Sequence, residues 1–267
     1  YAELYPGNAT LLVDTYDTLR SGVPNAIKVF DELRKSGKMP EKYGIRLDSG
    51  DLAYLSKKAR KMLDAAGFPK ATITASSDLD EYLIDSLVAQ GAKIDSWGVG
   101  TRLITSEDTP SFGGVYKLSA IMKNGEFVPK MKLSDNPWKI TNPGNKKIYR
   151  IYEKESGKVK ADLITLAEEH YSPENPLLLF DPLATWKKTY LDPNSYTLRE
   201  LLVPIFISGE CVYESPSVME IKDYCTKEQD TLWDEARRLV NPHNVYVDLS
   251  QKLYQLKTHL LNDHSNK

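Results

Sequence analysis

Along the first part of the chain, two hydrophobic rhythms alternate. Short apolar runs of the buried-strand kind cover residues 9–13, 43–47, 71–75 and 94–97. Behind the first three come segments with the 3.6-residue period of a helix lying on a sheet. The first carries Ala26, Ile27, Phe30 and Leu33 and stops at Ser36-Gly37. The second carries Leu52, Leu55, Ala59, Met62, Leu63 and Ala66 and ends at Gly67. The third carries Leu79, Leu83, Leu87 and Val88, closes at Gly91, and has Asp78 and Glu81 spaced as a capping box. Repeated βα units of this kind predict a parallel sheet. The fold class is α/β, read as part of a (β/α) barrel, with a doubly wound sheet as the alternative. Four strands cannot close a barrel that ordinarily uses about eight. Further strands are expected upstream of Tyr1 or later in the chain, and the start at Tyr1 without a Met reads as a piece of a longer polypeptide.

After Thr109-Pro110 the rhythm changes. Residues 115–122 alternate as a strand does, Asn124-Gly125 is a hairpin turn, and residues 127–133 continue beyond it. Asn142-Pro143-Gly144-Asn145 makes another turn ahead of residues 147–152 and Ser156-Gly157. This β-meander opens a smaller α+β domain, so the expected division is 1–122 and 123–267. Residues 170–214 read as irregular with short strands. Two closing helices are expected, one capped by Thr226 with Gln229 and running to Val240, the other capped by Asp248 with Gln251.

Polar residues follow each early strand. Asp14 and Asp17 follow the first, Arg46 and Asp48 the second, Ser76-Ser77-Asp78 the third, and Gly98-Val99-Gly100-Thr101 the fourth. In a parallel sheet these four clusters share one edge, where α/β proteins place their chemistry. Ser49-Gly50-Asp51 opens the second helix, whose free N–H groups would suit an anion, although Asp51 equally suits an ordinary helix start. Arg46 has the forked donors of a phosphate ligand, or of a structural ion pair with Asp48 or Asp14. Asp14 and Asp48 could orient sugar hydroxyls, hold Mg²⁺, or favour positive charge at an anomeric carbon; simple capping is their alternative. Trp97 reads as core rather than a stacking platform.

A net charge of −2 offers no basic excess for a nucleic-acid backbone, so a bound phosphate is expected on a small molecule. Cys211 and Cys225 read as reduced thiols of a cytoplasmic protein. No apolar run approaches the ~20 residues of a membrane span. The four histidines, His170, His243, His259 and His264, accompany no Ser or Cys nucleophile motif and are not read as catalytic.

The clusters, taken in order, resemble the nicotinate phosphoribosyltransferase family, type II phosphoribosyltransferases of NAD salvage. The resemblance lies in Leu12-Val13-Asp14-Thr15-Tyr16 with Arg20-Ser21-Gly22, in residues 44–52, in Gly98-Val99-Gly100-Thr101 and in residues 113–118, with Pro129-Lys130-Met131-Lys132-Leu133-Ser134 and Pro143-Gly144 beyond them. It implies an enzyme joining nicotinate to 5-phosphoribosyl 1-diphosphate, with diphosphate released and ATP hydrolysed as co-substrate. It further implies catalytic Asp14, Asp48 and Arg46, with Mg²⁺ on Asp14 and Asp48. Ser76, Ser77, Gly98, Gly100 and Thr101 would hold the 5-phosphate, beside the anion seat at Ser49 and Gly50. A homodimer with shared sites is implied. The family's phosphorylated histidine belongs to a segment upstream of the Asp14 motif, so this chain reads as the C-terminal part and is expected to be inactive alone. Another sugar-phosphate barrel enzyme and a non-catalytic phospho-ligand-binding subunit are the alternatives; no Lys stands in any of the four clusters to form a Schiff base.

Overall fold

The computed structural model describes residues 1–5, 7–111, 113–136 and 139–265, with side chains through Asp263. The chain is mixed α/β and divides into two compact units, Tyr1–Gly113 and Gly114–Lys267.

The first unit runs β1 (Asn8–Leu12), α1 (Val23–Lys35), β2 (Lys42–Leu47), α2 (Leu52–Ala65), β3 (Thr72–Ala75), α3 (Glu81–Ala89), β4 (Ser96–Trp97) and a short α4 (Thr101–Thr105). Its four strands are parallel and lie side by side in sequence order, β1-β2-β3-β4, without a reversal. The two-residue period of the strands sorts the side chains. Leu11, Ile45 and Ile73 are cross-strand neighbours on the helix-covered face. Phe30, Leu63 and Leu79 pack there with them, each almost fully buried, and burial of such a side chain contributes about 1.5–3 kcal/mol. The rings of Phe30 and Tyr43 meet edge to face at 5.1 Å between centroids. Trp97 also packs on this core. The opposite face is mostly polar: Leu12, Arg46, Thr74 and Ser96 form one row, and Thr10, Gly44 and Thr72 the row beneath. Gly44 is required at its place, since a Cβ there would lie 2.2 Å from the Thr72 carbonyl oxygen.

One helix start differs from expectation. Asp80, not Asp78, caps α3, its carboxylate accepting the Leu83 N–H at 2.7 Å. Ser77 (φ 96°) and Asp78 (φ 41°) take left-handed backbone first, which postpones the helix.

The second unit opens on the hairpin β5 (Ala120–Lys123) and β6 (Glu126–Pro129), joined by Asn124 and Gly125, both at positive φ as a type I′ turn requires. The expected strand over 115–122 is thus shorter and later. Then come β7 (Lys146–Glu153), β8 (Val159–Leu166), the hairpin β9 (Leu177–Phe180) and β10 (Lys188–Leu191), β11 (Tyr196–Glu200), the two-residue pair β12 (Phe206–Ile207) and β13 (Glu210–Cys211), α5 (Val218–Asp230), β14 (Tyr246–Leu249) and α6 (Gln251–Ser265). The main sheet is mixed, in the order β11-β7-β8-β14, with β14 parallel to β8. One face buries Tyr149, Ile151, Leu163 and Tyr196. On β7 the alternate position Arg150 forks onto Asp162 at 2.8 and 2.9 Å, while Arg199 of β11 forks onto Glu228 of α5 at 2.7 and 2.6 Å. These Arg199 bonds are the main cause holding the Glu228 carboxyl below its usual range.

Both closing caps lie elsewhere than expected. Ser217 and Glu220 form the capping box of α5, so Thr226 falls inside that helix and donates to the Lys222 carbonyl at 3.1 Å. For α6 the cap is Ser250, whose hydroxyl accepts the Leu253 N–H at 3.1 Å. Asp248 belongs to β14 instead, and is buried. Cys211 and Cys225 are free and exposed. Among the described residues no helix is long and apolar enough to cross a membrane.

Burial, with a smaller contribution from Asp181, pushes the Asp248 carboxyl up to about 6. An acid whose folded pKa is raised favours folding fully below its unfolded value, and that contribution is lost as pH rises through the folded one. Asp248→Asn should therefore stabilise the protein at pH 8 by about 1–3 kcal/mol, with the gain shrinking toward pH 4. Urea denaturation at the two pH values checks this; an equal effect at both would contradict it.

Candidate functional site

Because β1 to β4 are parallel and adjacent, the segments leaving their carboxyl ends share one edge of the sheet. Asp14 stands just past β1. Its Oδ2 accepts the backbone N–H of Asp48, just past β2, and the hydroxyl of Ser49 at 3.0 Å. Arg46, the penultimate residue of β2, turns to β3: its Nε donates to Ser76 Oγ at 2.9 Å and its Nη2 to Asp48 Oδ1 at 3.0 Å. The Ser76 hydroxyl also donates to Asp48 Oδ1, closing a three-membered ring of bonds. Ser76 is 6% exposed, whereas the side chains of Arg46 and Asp48 keep 49% and 46% of their exposure. An ion pair so exposed contributes only about 0–1 kcal/mol, so the buried hydroxyl is what fixes the arrangement. That hydroxyl is the leading cause, ahead of Arg46, of an Asp48 carboxyl held below its ordinary value.

Asp14, Arg46, Asp48, Ser49 and Ser76 are thus joined by direct bonds. Gly98 reaches the same place from β4, donating its N–H to the Ala75 carbonyl at 2.7 Å; a Cβ on it would lie 3.3 Å from the Ser76 Cβ. Gly50, Ser77, Gly100 and Thr101 lie exposed along the same edge, Gly50 and Ser77 at positive φ. Two acids have the plainer role. Asp17 caps the turn Thr18–Gly22 through the N–H groups of Leu19 and Arg20, and Asp51 caps α2 through Tyr54 N–H at 2.9 Å.

Sequence reading passed over two features of the site. Thr74 and Ser96, in register with Arg46 on the uncovered face, join their hydroxyls at 2.7 Å. The alternation in Thr72-Ile73-Thr74-Ala75 was the available signal. Arg102 in α4 pairs with Asp80 and with Glu107 at 3.1 Å, which ties the Gly98-Val99-Gly100-Thr101 loop back to the start of α3. His170 is exposed and His259 lies 3.3 Å from Asp263 within α6, both away from this edge in sequence; the His264 side chain lies outside the described residues. Among the described residues no cluster of three or more His, Cys, Asp or Glu could hold a metal unaided. Asp14 and Asp48 each engage one carboxylate oxygen in the bonds above. A Mg²⁺ ion of the sort that takes one or two carboxylates and completes its shell with substrate oxygens and water would ask for no larger set of protein ligands.

Residues 145–257 match the family model described as the nicotinate phosphoribosyltransferase C-terminal domain. Over 257 residues the chain is 46% identical to nicotinate phosphoribosyltransferase of Bacillus subtilis, covering 96% of this chain and 51% of that one. It is 37% identical to nicotinate phosphoribosyltransferase 2 of Arabidopsis thaliana, covering 95% and 46%. The crystal structure of human nicotinic acid phosphoribosyltransferase superposes with a TM-score of 0.75 at 29% identity, over 98% of this chain and 48% of that one. The chain spans about half the length of the curated relatives it matches.

Removing the Ser76 hydroxyl should take one bond from Arg46 and one from Asp48, leaving only the exposed ion pair between them. In Ser76→Ala the Asp48 carboxyl is expected to titrate closer to the ordinary carboxylate value, read by ¹³C NMR of the side-chain carbonyl, while Ser76→Thr retains the native value. An unmoved Asp48 titration in the alanine variant would assign the ring of bonds no role in holding the site.

Proposed function

The chain belongs to the nicotinate phosphoribosyltransferase family, and on that premise we propose that its first unit carries the phosphoribosyl site of such an enzyme. The reaction is nicotinate, 5-phosphoribosyl 1-diphosphate and ATP going to nicotinate mononucleotide, diphosphate, ADP and phosphate. The observation that carries this reading is the bonded cluster of Asp14, Arg46, Asp48, Ser49 and Ser76 at the carboxyl ends of adjacent parallel strands.

Two carboxylates beside an arginine suit a substrate that is anionic at its phosphates and gains positive charge at its anomeric carbon as diphosphate leaves. Asp14 and Asp48 would hold Mg²⁺ with the oxygens outside their present bonds. The ion, when bound, would neutralise the departing diphosphate. Arg46 keeps its Nη1 outside both of its bonds, free to reach a phosphate or the nicotinate carboxylate. The backbone N–H groups of Ser77, Gly100 and Thr101, with the seat at Ser49 and Gly50, would receive phosphate oxygens, while Gly98, its own N–H held by Ala75, would let the phosphate approach closely for want of a side chain. Ser76, being committed to Arg46 and Asp48, would act by positioning them.

The unreversed strand order is what an arc of a (β/α) barrel would show, since a doubly wound sheet reverses at its switch point. On this reading the polar face bearing Thr10, Arg46, Thr74 and Ser96 looks into the barrel, and the remaining strands complete it. We assign the phosphoribosyl site to the first unit, Tyr1–Gly113, and an α+β C-terminal domain to the second, with β5 whole within it and not divided at the expected 122/123 boundary, in a cytoplasmic homodimer with shared sites. Full turnover, coupled to ATP, would then need more than this chain alone.

Isothermal titration with 5-phosphoribosyl 1-diphosphate tests the reading. The expectation is Mg²⁺-dependent binding that Asp48→Ala weakens at least tenfold, about 1.4 kcal/mol or more. Affinity unchanged by that substitution, or by removing Mg²⁺, would contradict it.

A further inference from the structure

Beyond α5 the chain folds over the start of β8 and makes a cavity that the phosphoribosyl reading does not use and on which this inference does not depend. Trp233 is fixed there by its Nε1–H, which donates to the Val159 carbonyl at 2.8 Å. The Glu235 carbonyl then accepts two bonds, from the His243 N–H at 2.8 Å and from Arg238 Nε at 3.2 Å. Those bonds draw the loop into two adjoining hollows. The larger, about 460 Å³, has apolar walls led by Trp233 and Tyr246, with Glu235 among its lining residues. The smaller, about 270 Å³, is polar, lined by Arg238, Asn241 and Asn244. His243, Asn244 and Tyr246 line both.

The charges are as divided as the walls. Lys160 on the larger hollow is already neutralised by Glu153 at 2.6 Å, and nearby Arg237 by Asp230 at 3.5 Å. Arg238 has no ion pair among the described residues, and its terminal guanidinium nitrogens remain beyond the single bond made by Nε. His243 has Nδ1 on the Asn244 carbonyl at 2.9 Å, which leaves Nε2 as its other hydrogen-bonding atom. Trp233 and Tyr246 stay 40% and 50% exposed, large aromatic surfaces to leave in water.

We propose that this two-lobed cavity binds a nucleoside 5′-monophosphate whose base carries an exocyclic amino group, as adenine does. The base stacks among Trp233 and Tyr246, a contact that alanine substitution values at about 1–3 kcal/mol per base. The phosphate meets the guanidinium of Arg238, the side chain best shaped for it. The Glu235 carboxylate accepts from the amino group and disfavours a base that presents a carbonyl oxygen in its place.

The test is calorimetric titration of the 267-residue chain with adenosine 5′-monophosphate, inosine 5′-monophosphate, adenosine and inorganic phosphate. The expected result is one adenosine monophosphate site, at least tenfold weaker for the other three. Arg238→Gln should weaken it at least tenfold while leaving affinity for adenosine unchanged, and Glu235→Gln should reduce the preference over inosine monophosphate. Both residues are exposed, so circular dichroism should report native folding in each variant. Inorganic phosphate binding as tightly as the nucleotide would overturn the proposal. So would no binding at millimolar nucleotide, or binding that survives Arg238→Gln but is lost in Arg46→Gln, which would place the nucleotide at the strand-end cluster.

Discussion

The site depends first on one carboxylate reaching across a strand boundary. Asp14 leaves β1 and receives the Asp48 N–H at the end of β2, then the Ser49 hydroxyl behind it. The end of a parallel strand frees N–H groups that the ladder no longer pairs, and a charged acceptor satisfies them strongly; a hydrogen bond to a charged group is worth roughly 1.5–3 kcal/mol when shielded from water, less when half exposed as here. That bond sets where the β2 loop begins, and hence where Asp48 points.

Strand periodicity supplies the second constraint. Ile45 and Leu47 face the helices and anchor β2 in the core, so Arg46 between them must face the other way. It meets Ser76 there because β2 and β3 run in register, with Arg46 opposite Thr74. The polar ring is therefore a by-product of the hydrophobic pattern: a one-residue slip of β2 would bury Arg46 and expose Ile45.

Much of this was legible in the residues themselves. The βα rhythm, the shared edge of the four polar clusters and the Asn124-Gly125 hairpin all follow from local period and turn chemistry. The helix starts were less legible, since Asp78, Thr226 and Asp248 each have cap chemistry and cap spacing. Their failure has a physical cause in each case. Left-handed backbone at Ser77 and Asp78 delays one helix; Ser217 with Glu220 begins another well ahead of Thr226; and pairing of β14 with β8 claims Asp248 for the sheet, leaving Ser250 as the cap. Local signals identified residues able to cap; a competing local conformation decided in two cases, and strand pairing in the third. In the same way the sequence offered Ser76 as a phosphate ligand, and only the register of β2 with β3 revealed its hydroxyl committed to Arg46 and Asp48.

If the Asp14 carboxylate holds the β2 loop in its working shape, amide hydrogen exchange at Asp48 will differ between the native chain and Asp14→Ala. The Asp48 N–H should be protected in the native chain and exchange at least tenfold faster in the variant, with Ile45, inside β2, unaffected. Equal protection of the Asp48 amide in both proteins would contradict it.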